Sequence, residues 1–353
     1  MTKPDPNTPR ALGFRMPAEW EPHEATWIAW PHNRDDWPGK FAAIPWVYAE
    51  IVRKLSQVER VRILVDDETA ERAARRILKR AGAAFDAVEF FRLPTDRVWT
   101  RDFGPIFVRN KAGEIAITNW IFNAWAKYPD WRKDNEIPGA LAELLKMRQW
   151  QSGMVLEGGS IDVNGRGALL TTEECLLSFV QARNPGMSRA EIERSLADYL
   201  GAAKVIWLKN GIAGDDTHGH VDDLARFVDA GTIVASIERD RGDANYEPLR
   251  ENLRLLRREA FRVVTLPMPA PVFFDGIRLP ASYANFYIAN RLVLVPTFND
   301  PNDRVALAAL ARLFPDREVA GIHAVDLVWG LGTLHCMTQQ QPAGRPNKPN
   351  AKD

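Results

Sequence analysis

Residues 157–208 read EGGSIDVNGRGALLTTEECLLSFVQARNPGMSRAEIERSLADYLGAAKVIWL. Signals for a hairpin, a helix and a strand follow one another in this unit of sequence. The Asn-Gly pair at 164–165 lies between two apolar runs and predicts a hairpin, because both residue types accept the positive φ angles of a tight turn. Ser188 and Glu191 have the spacing of a capping box, which predicts the start of a helix. The β-branched run at 204–208 then predicts a further strand.

The same order of elements recurs on both sides of this unit. Amphipathic patterns predict other helices, and short β-branched runs follow several of them. Turn signals between apolar runs predict further hairpins. The predicted helices cover 41–57, 67–81, 136–148, 188–200, 245–260 and 302–314; the predicted strands cover 61–65, 204–208, 262–266 and 318–322; the predicted hairpin turns lie at 111–113, 164–165, 229–231 and Asn290.

Single polar residues lie beside the predicted hairpins and near the C-terminus. They are spaced roughly 50–65 residues apart, which is typical of a radial repeat whose units each direct one residue toward a common axis. Ordinary alternation of helices and strands with accidental spacing is the alternative. The five residues are Asp102, Glu157, His220, Asn285 and Cys336.

The composition is that of an ordinary globular protein. The chain has 353 residues, of which 46 are basic and 46 acidic, and 46% are hydrophobic. Zero net charge argues against a nucleic-acid partner, and no apolar run reaches the roughly 18 residues of a membrane span. The N-terminus has no apolar signal core, so a cytoplasmic location is expected. Disordered tails are predicted at 1–12 and 343–353, around a single α/β domain at 13–342.

The chain has two cysteines, which cannot form a disulfide framework or a four-cysteine zinc site. Cys336 comes shortly after two glycines and directly after His335, which suits a nucleophile on a loop. A lone cysteine is, however, more often a small buried apolar residue. Cys175 lies among apolar residues and is predicted to be structural.

The densest polar cluster is GDDTHGHVDD at 214–223. If a strand begins near His220, then His220 and Asp222 lie on one face of it, where they can shuttle protons and bind a cation. Two other interpretations stay open. The cluster can be a solvated turn, or His218, His220 and Asp222 can begin the zinc site of a metallohydrolase.

Asp102 in WTRDFGP and Glu157 in EGGS stand close to predicted turns, and each can belong to a simple turn or ion pair. Carboxylates grouped around a thiol oppose thiolate formation unless the substrate is a cation. A guanidinium is planar and permanently charged, and it binds paired carboxylates through two hydrogen bonds. The combination favours thiol attack on a guanidinium carbon.

Several long segments together resemble the agmatine deiminases and their bacterial-type peptidyl-arginine deiminase relatives, in the guanidino-group-modifying superfamily. The resemblance extends from Pro17 to Pro342. Its segments are PAEWEPHEATWIAWPHN, WTRDFGP, LEGGSIDVNGRGALLTTEECLLS, RNPGMSRAEIE, KVIWLKNGIAGDDTHGHVDD, ASYANFYIAN and HCMTQQQP.

This resemblance implies a five-bladed, pseudo-symmetric α/β propeller and a reaction that needs no metal or organic cofactor. It implies that Cys336 is the nucleophile, that His220 is the general acid and base, and that Glu157 is the acid beside that histidine. It also implies that Asp102 and Asp222 bind the guanidinium.

The implied activity is hydrolysis of agmatine to N-carbamoylputrescine and ammonia through a covalent amidino-cysteine intermediate. Asp216 lies where agmatine-hydrolysing relatives have an acid that faces the substrate, and Trp99 matches an aromatic residue of the pocket. A small cationic guanidine is the expected partner, and a homodimer is expected from the family. Peptidyl-arginine or free arginine is the alternative substrate, and a guanidine-binding protein without turnover is a further alternative.

Three residues depart from the family pattern. Agmatine-specific members commonly read DDTNGHVDN, where this chain has His218 and Asp223, and Thr333 replaces an asparagine. All three are expected near the substrate tail and the catalytic loop. They therefore bear on specificity more than on the type of reaction.

Overall fold

The computed structural model describes residues 6–348. Its strands are β1 (Phe14–Arg15), β2 (His23–Ala29), β3 (Arg60–Val65), β4 (Val88–Arg92), β5 (Ile106–Asn110), β6 (Glu114–Ile121), β7 (Gln149–Val155), β8 (Asp162–Val163), β9 (Ala168–Thr172), β10 (Lys204–Leu208), β11 (Ala225–Asp229), β12 (Thr232–Ile237), β13 (Arg262–Pro267), β14 (Phe273–Phe274), β15 (Ile277–Arg278), β16 (Tyr287–Ala289), β17 (Leu292–Thr297), β18 (Glu318–His323), β19 (Gln339–Pro342) and β20 (Arg345–Pro346). Its α-helices are α1 (Ile44–Leu55), α2 (Glu68–Ala81), α3 (Thr100–Phe103), α4 (Arg132–Leu144), α5 (Glu173–Leu176), α6 (Arg189–Leu200), α7 (Tyr246–Leu256) and α8 (Asn302–Leu313). Short 3₁₀ helices cover Arg34–Asp36, Phe41–Ala43, Phe85–Ala87, Ala124–Ala126, Gly158–Ser160, Val221–Asp223 and Leu327–Gly330.

Within residues 6–348, five sheets share one pairing pattern. A first strand pairs antiparallel with a second, and the second pairs parallel with a third after a helical crossover, which parallel pairing requires. The five sets are β5–β6–α4–β7, β8–β9–α6–β10, β11–β12–α7–β13, β16–β17–α8–β18 and β19–β2–α1–β3. The last set joins the two ends of the described chain, and the whole is one mixed α/β domain.

The predicted helices are confirmed, with local reasons for their limits. The side chain of Asp67 accepts the Ala70 N–H at the start of α2, and α2 ends at Gly82, whose φ is 79°. The capping box predicted at the start of α6 forms. The helix predicted over 136–148 lies instead at 132–144 and contains Pro138 in its interior.

The predicted strands and hairpins are confirmed as well, but one local prediction is wrong. His220 does not begin a strand, because Val221–Asp223 form a 3₁₀ helix and β11 starts only after it. The argument that alternation places His220 and Asp222 on one face of a strand therefore fails.

Parts of the two tails that are predicted to be disordered, residues 6–12 and 343–348, lie within the described range and make backbone hydrogen bonds. Residues 6–12 form turns, in which the Arg10 N–H donates to the Asp198 carbonyl at 3.0 Å. At the other end, β20 pairs with β6. Backbone hydrogen bonds of this kind need no apolar side chains, so composition does not report them. The remaining tail residues lie outside the described range.

Every helix within residues 6–348 is too short or too polar to cross a bilayer.

Candidate active site

One buried cluster forms where the first strands of the five sets begin. Asp102 lies in α3 just before β5, Glu157 precedes β8, and Asp222 precedes β11. Asn285 and Cys336 precede β16 and β19 in the same way. The repeat of polar residues seen in the sequence thus corresponds to a repeat of position in the fold.

The Cys336 thiol is buried and surrounded by polar groups. Asn285 Nδ2 donates to its sulfur at 3.1 Å, and Asp222 Oδ2 lies 3.8 Å from that sulfur. Burial, together with Asp222, Asp223 and Asp102, raises the pKa of the Cys336 thiol well above its usual value. At neutral pH the thiol therefore keeps its proton.

Asn285 organises the loop that carries the thiol. Its side-chain oxygen accepts hydrogen bonds from the Thr333 hydroxyl at 2.7 Å and from the His335 N–H at 3.0 Å. Its side-chain nitrogen also donates to Asp223 at 3.0 Å. Two of the residues that depart from the family pattern, Thr333 and Asp223, are thus partners of Asn285 and support the loop that carries Cys336.

Asp222 is held by a histidine that the sequence did not assign. His335 Nδ1 lies 2.7 Å from Asp222 Oδ2, and His335 Nε2 lies 2.7 Å from Glu19 Oε2. Glu19 also accepts from Arg101 at 3.2 Å and from Arg226 at 2.9 Å. Burial alone would raise the pKa of Asp222, but the hydrogen bond and charge of His335, together with the charges of His220 and Arg226, lower that pKa, so Asp222 is a carboxylate.

Asp102 is fixed by two donors. The Gly159 N–H reaches its Oδ1 at 3.0 Å, and the Trp125 indole N–H reaches its Oδ2 at 2.9 Å. Burial raises the pKa of Asp102 to about 7, with Asp222 adding to the rise and His220 opposing it. This carboxyl therefore changes charge close to neutral pH.

His220 lies between two carboxylates. Its Nδ1 is 3.7 Å from Asp102 Oδ1 and its Nε2 is 3.8 Å from Glu157 Oε2. Burial by itself would lower its pKa, but Asp102, Cys175 and Glu157 outweigh burial and raise the pKa of His220 well above its usual value. The ring is an imidazolium, which can act as a general acid.

Glu157 is ionised because a buried arginine pairs with it. Arg183 Nε donates to Glu157 Oε1 at 2.8 Å, and both side chains are fully buried. Burial would raise the pKa of Glu157, but Arg183 and His220 lower it to about 2. Glu157 can therefore orient and stabilise the protonated His220.

Close packing at Gly159 brings these groups together. A Cβ atom at Gly159 would lie 2.6 Å from His220 Nδ1, 2.7 Å from Asp102 Oδ1 and 3.1 Å from Asp222 Oδ2. No side chain fits in that space, so the glycine is required for the approach of the three residues.

A cavity of about 490 Å³ leads to this cluster. Cys336, Asp102, Trp99 and Asp216 all line it, so the predicted nucleophile, one predicted guanidinium-binding acid and both predicted pocket residues share one space. His220, Glu157 and Asp222 are buried beside it and are not among its lining residues. Further acids lie in the cavity wall: Asp35, Asp36 and Asp130.

The zinc interpretation of 214–223 is not supported by the geometry. His218 turns away, with its Nε2 3.1 Å from Ser178 Oγ and its Nδ1 3.7 Å from Glu174. In residues 6–348, the one group of three with metal-like spacing consists of Glu157, Cys175 and His220. Cys175, predicted to be structural, is part of an apolar core and also approaches His220.

Several residues of the site had no signal in the sequence. Their roles depend on partners that are distant along the chain, and neither motif spacing nor periodicity reports such pairs. Asn285 was recognised only as a member of the polar repeat, and His335 only as a neighbour of Cys336. No motif or spacing marks Glu19, Arg183 or Arg226, and Trp125 is marked only as one of the tryptophans beside charged or loop residues, which often line pockets or interfaces.

Known proteins are similar to this chain over almost its whole length. A family model described as Porphyromonas-type peptidyl-arginine deiminase matches residues 15–342. An agmatine deiminase of Pseudomonas aeruginosa is 38% identical over 369 residues, covering 96% of this chain and 98% of its own. A solved structure of C. jejuni agmatine deiminase with substrate bound superposes with a TM-score of 0.87 at 32% identity, covering 94% and 97% of the two chains.

A more distant structure shares the fold alone. An amidinotransferase from Microseira wollei has a TM-score of 0.50 at 12% identity and covers 93% of this chain and 97% of its own. The resemblance seen in the sequence motifs is confirmed by these matches. The chain belongs to the Porphyromonas-type peptidyl-arginine deiminase family.

Proposed function

We propose that this protein is an agmatine deiminase, a hydrolase that converts the guanidinium of agmatine into a urea group and releases ammonia. The observation that carries the proposal is one acidic cavity in which Cys336 and Asp102 lie together with a further acid, Asp216. Agmatine has a guanidinium at one end and an ammonium at the other. A cavity with acids in both places is complementary to such a dication.

In the proposed binding step, Asp102 and Asp222 hold the guanidinium and place its carbon at the Cys336 sulfur. The positive charge of the bound guanidinium lowers the pKa of the Cys336 thiol, because it offsets the acids that keep the thiol protonated. Substrate binding thus favours loss of the thiol proton, which passes to solvent through the cavity because His220 already carries its own proton. The thiolate then attacks the guanidinium carbon to give a tetrahedral adduct.

In the proposed proton transfers, the imidazolium of His220 donates its proton to the departing nitrogen, which leaves as ammonia. Neutral His220 next removes a proton from water, and the resulting hydroxide attacks the amidino carbon. The carbon–sulfur bond breaks and the hydroxyl proton of the adduct passes to the departing Cys336 thiolate, so a neutral ureido product and the Cys336 thiol remain. Glu157 orients the ring of His220 throughout, and no metal or organic cofactor takes part.

The arrangement of the five sets suggests the architecture behind this site. We propose that they close around it as a five-bladed α/β propeller. The segment before the first strand of each set contributes one residue to the same cluster, and the last set pairs β19 with β2. A homodimer and a cytoplasmic location belong to the same proposal, from the family resemblance and the sequence. Light scattering of the purified protein and cell fractionation test these two points.

The decisive experiment measures ammonia release with agmatine, free arginine and a blocked arginine peptide, beside the Cys336→Ala protein. We expect turnover of agmatine and its loss in the variant. Turnover of arginine or of the peptide alone would show that arginine or peptidyl-arginine is the substrate and would leave the thiol mechanism in place. Full activity of Cys336→Ala, or loss of activity to a chelator, would overturn the mechanism.

A further inference from the structure

The acid proposed to face the substrate tail is already occupied in this structure. Asp216 Oδ2 accepts a hydrogen bond from the Tyr128 hydroxyl at 2.7 Å, and Lys127 Nζ lies 3.3 Å from the same oxygen. Asp216 lines the cavity together with Cys336. An incoming cation that uses this oxygen must therefore compete with a cation of the protein itself.

Lys127 has the chemistry of the substrate tail. Its side chain is a primary ammonium on four methylene groups, and agmatine carries the same group on the same number of carbons beyond its guanidinium. Both ions satisfy a carboxylate in the same way. An acid that accepts the one will accept the other.

The contact between Lys127 and Asp216 is of the kind that breaks easily. The Lys127 side chain is 38% exposed and that of Asp216 is 14% exposed. Exposed ion pairs contribute little to stability, since water solvates the separated ions nearly as well. A lysine that leaves Asp216 for solvent therefore loses little, and Asp216, the more buried partner, keeps its place.

The backbone that carries Lys127 is held firmly. Ala124, Trp125 and Ala126 have φ angles of 49°, 59° and 53°, a conformation that residues other than glycine rarely adopt. Trp125 anchors this turn through its indole N–H to Asp102 and through its carbonyl, which accepts from Gln181. Such strained backbone persists only when the surroundings fix it, so the position of Lys127 beside the cavity is built in.

We infer that Lys127 occupies the amine position at Asp216 in the substrate-free enzyme and that the tail ammonium of the bound guanidine displaces it. The inference rests on the proposed function, because it assigns a competitor to the amine end of that substrate. Lys127 thereby sets the affinity for guanidines with a cationic tail and leaves those with a neutral tail unaffected.

The test compares agmatine with butylguanidine, which lacks the tail ammonium, by calorimetric titration of the Cys336→Ala protein. Lys127→Met in this background is expected to lower the Kd of agmatine about two- to five-fold and to leave that of butylguanidine unchanged. Lys133→Met is the matched control, because Lys133 is an exposed lysine whose Nζ lies 3.7 Å from Asp96. Asp216→Asn should weaken agmatine binding and make the Lys127→Met effect disappear.

Three results would overturn the inference. Equal tightening of both ligands would show a general charge effect, and weaker agmatine binding in Lys127→Met would show that Lys127 only supports Asp216. A persistent Lys127→Met effect in the Asp216→Asn protein would place the competition elsewhere. If the parent enzyme turns over arginine peptides and neither turns over nor binds agmatine, the proposed function fails and takes this inference with it.

Discussion

Paired charged side chains are buried at the centre of the site, whereas at its rim they are partly exposed to solvent. At the centre, Glu157 and Arg183 are fully buried and pair at 2.8 Å. At the rim, Asp130 pairs with Arg97 at 2.9 Å, but its side chain is 40% exposed. A buried ion without its partner is far more costly than an exposed one, because water cannot replace the partner. Substitutions at the centre should therefore strongly reduce stability or activity, whereas substitutions at the rim should have small effects.

The largest expected effect is on stability at the centre. Arg183→Met leaves Glu157 buried without a countercharge, and we expect the free energy of unfolding to fall by about 3–5 kcal/mol. Urea unfolding measures it. Arg189→Met is the control, because Arg189 pairs with Glu173 at 2.6 Å at a surface where its own side chain is 43% exposed. Equal, small losses in both variants would contradict the contrast between the two regions.

Gly159→Ala comes next. The added Cβ would lie 2.6 Å from His220 Nδ1, so the ring or the neighbouring acids must move. A displacement of about 1 Å in a catalytic group can cost about 100-fold, and we expect a loss of that order in kcat/KM. Steady-state kinetics measures it, with Gly139→Ala as control, since the nearest atom to a Cβ there is 3.9 Å away. Similar kinetics in the two variants would show that the centre can relax.

The pH dependence of agmatine binding tests the charge of Asp102 at the centre. The pKa of Asp102 is raised to about 7, so the carboxyl takes up a proton and loses its charge as the pH falls below that value. We expect agmatine affinity in the Cys336→Ala protein, measured by calorimetry, to weaken up to about tenfold per pH unit below about 7. The Asp102→Asn protein should bind weakly without this step. An affinity that stays constant from pH 8 to pH 5 would exclude a charged Asp102 as the guanidinium-binding acid.

The smallest effect is expected at the rim. Asp130→Asn removes one of the two acids that pair with Arg97. The other acid, Asp36, still pairs with Arg97 at 2.7 Å. Kinetics with agmatine should change less than about fivefold, and the free energy of unfolding by less than about 1 kcal/mol. A loss as large as that of Gly159→Ala would mean that the rim is as tightly coupled as the centre.

Much of the local structure follows from the sequence. The capping box at Ser188 and Glu191, the Asp67 and Gly82 caps and the short turns between strands all act within a few residues, so spacing alone reveals them. The longer repeat of polar residues reflects the repeat of β-strand sets, because each of these residues precedes the first strand of its set. The strand predicted at His220 is an exception, because Val221–Asp223 form a 3₁₀ helix there although the prediction was also a local one.

The motifs determined the family, the type of chemistry and the group of residues that meet around the thiol. Only the tertiary structure decided how those residues are charged. Arg183 ionises Glu157, and burial moves the pKa of Asp102 to about 7. His335, which is itself held by Glu19, pairs with Asp222. Motifs identify residue types, whereas protonation depends on burial and on partners far along the chain, and both exist only in the folded molecule.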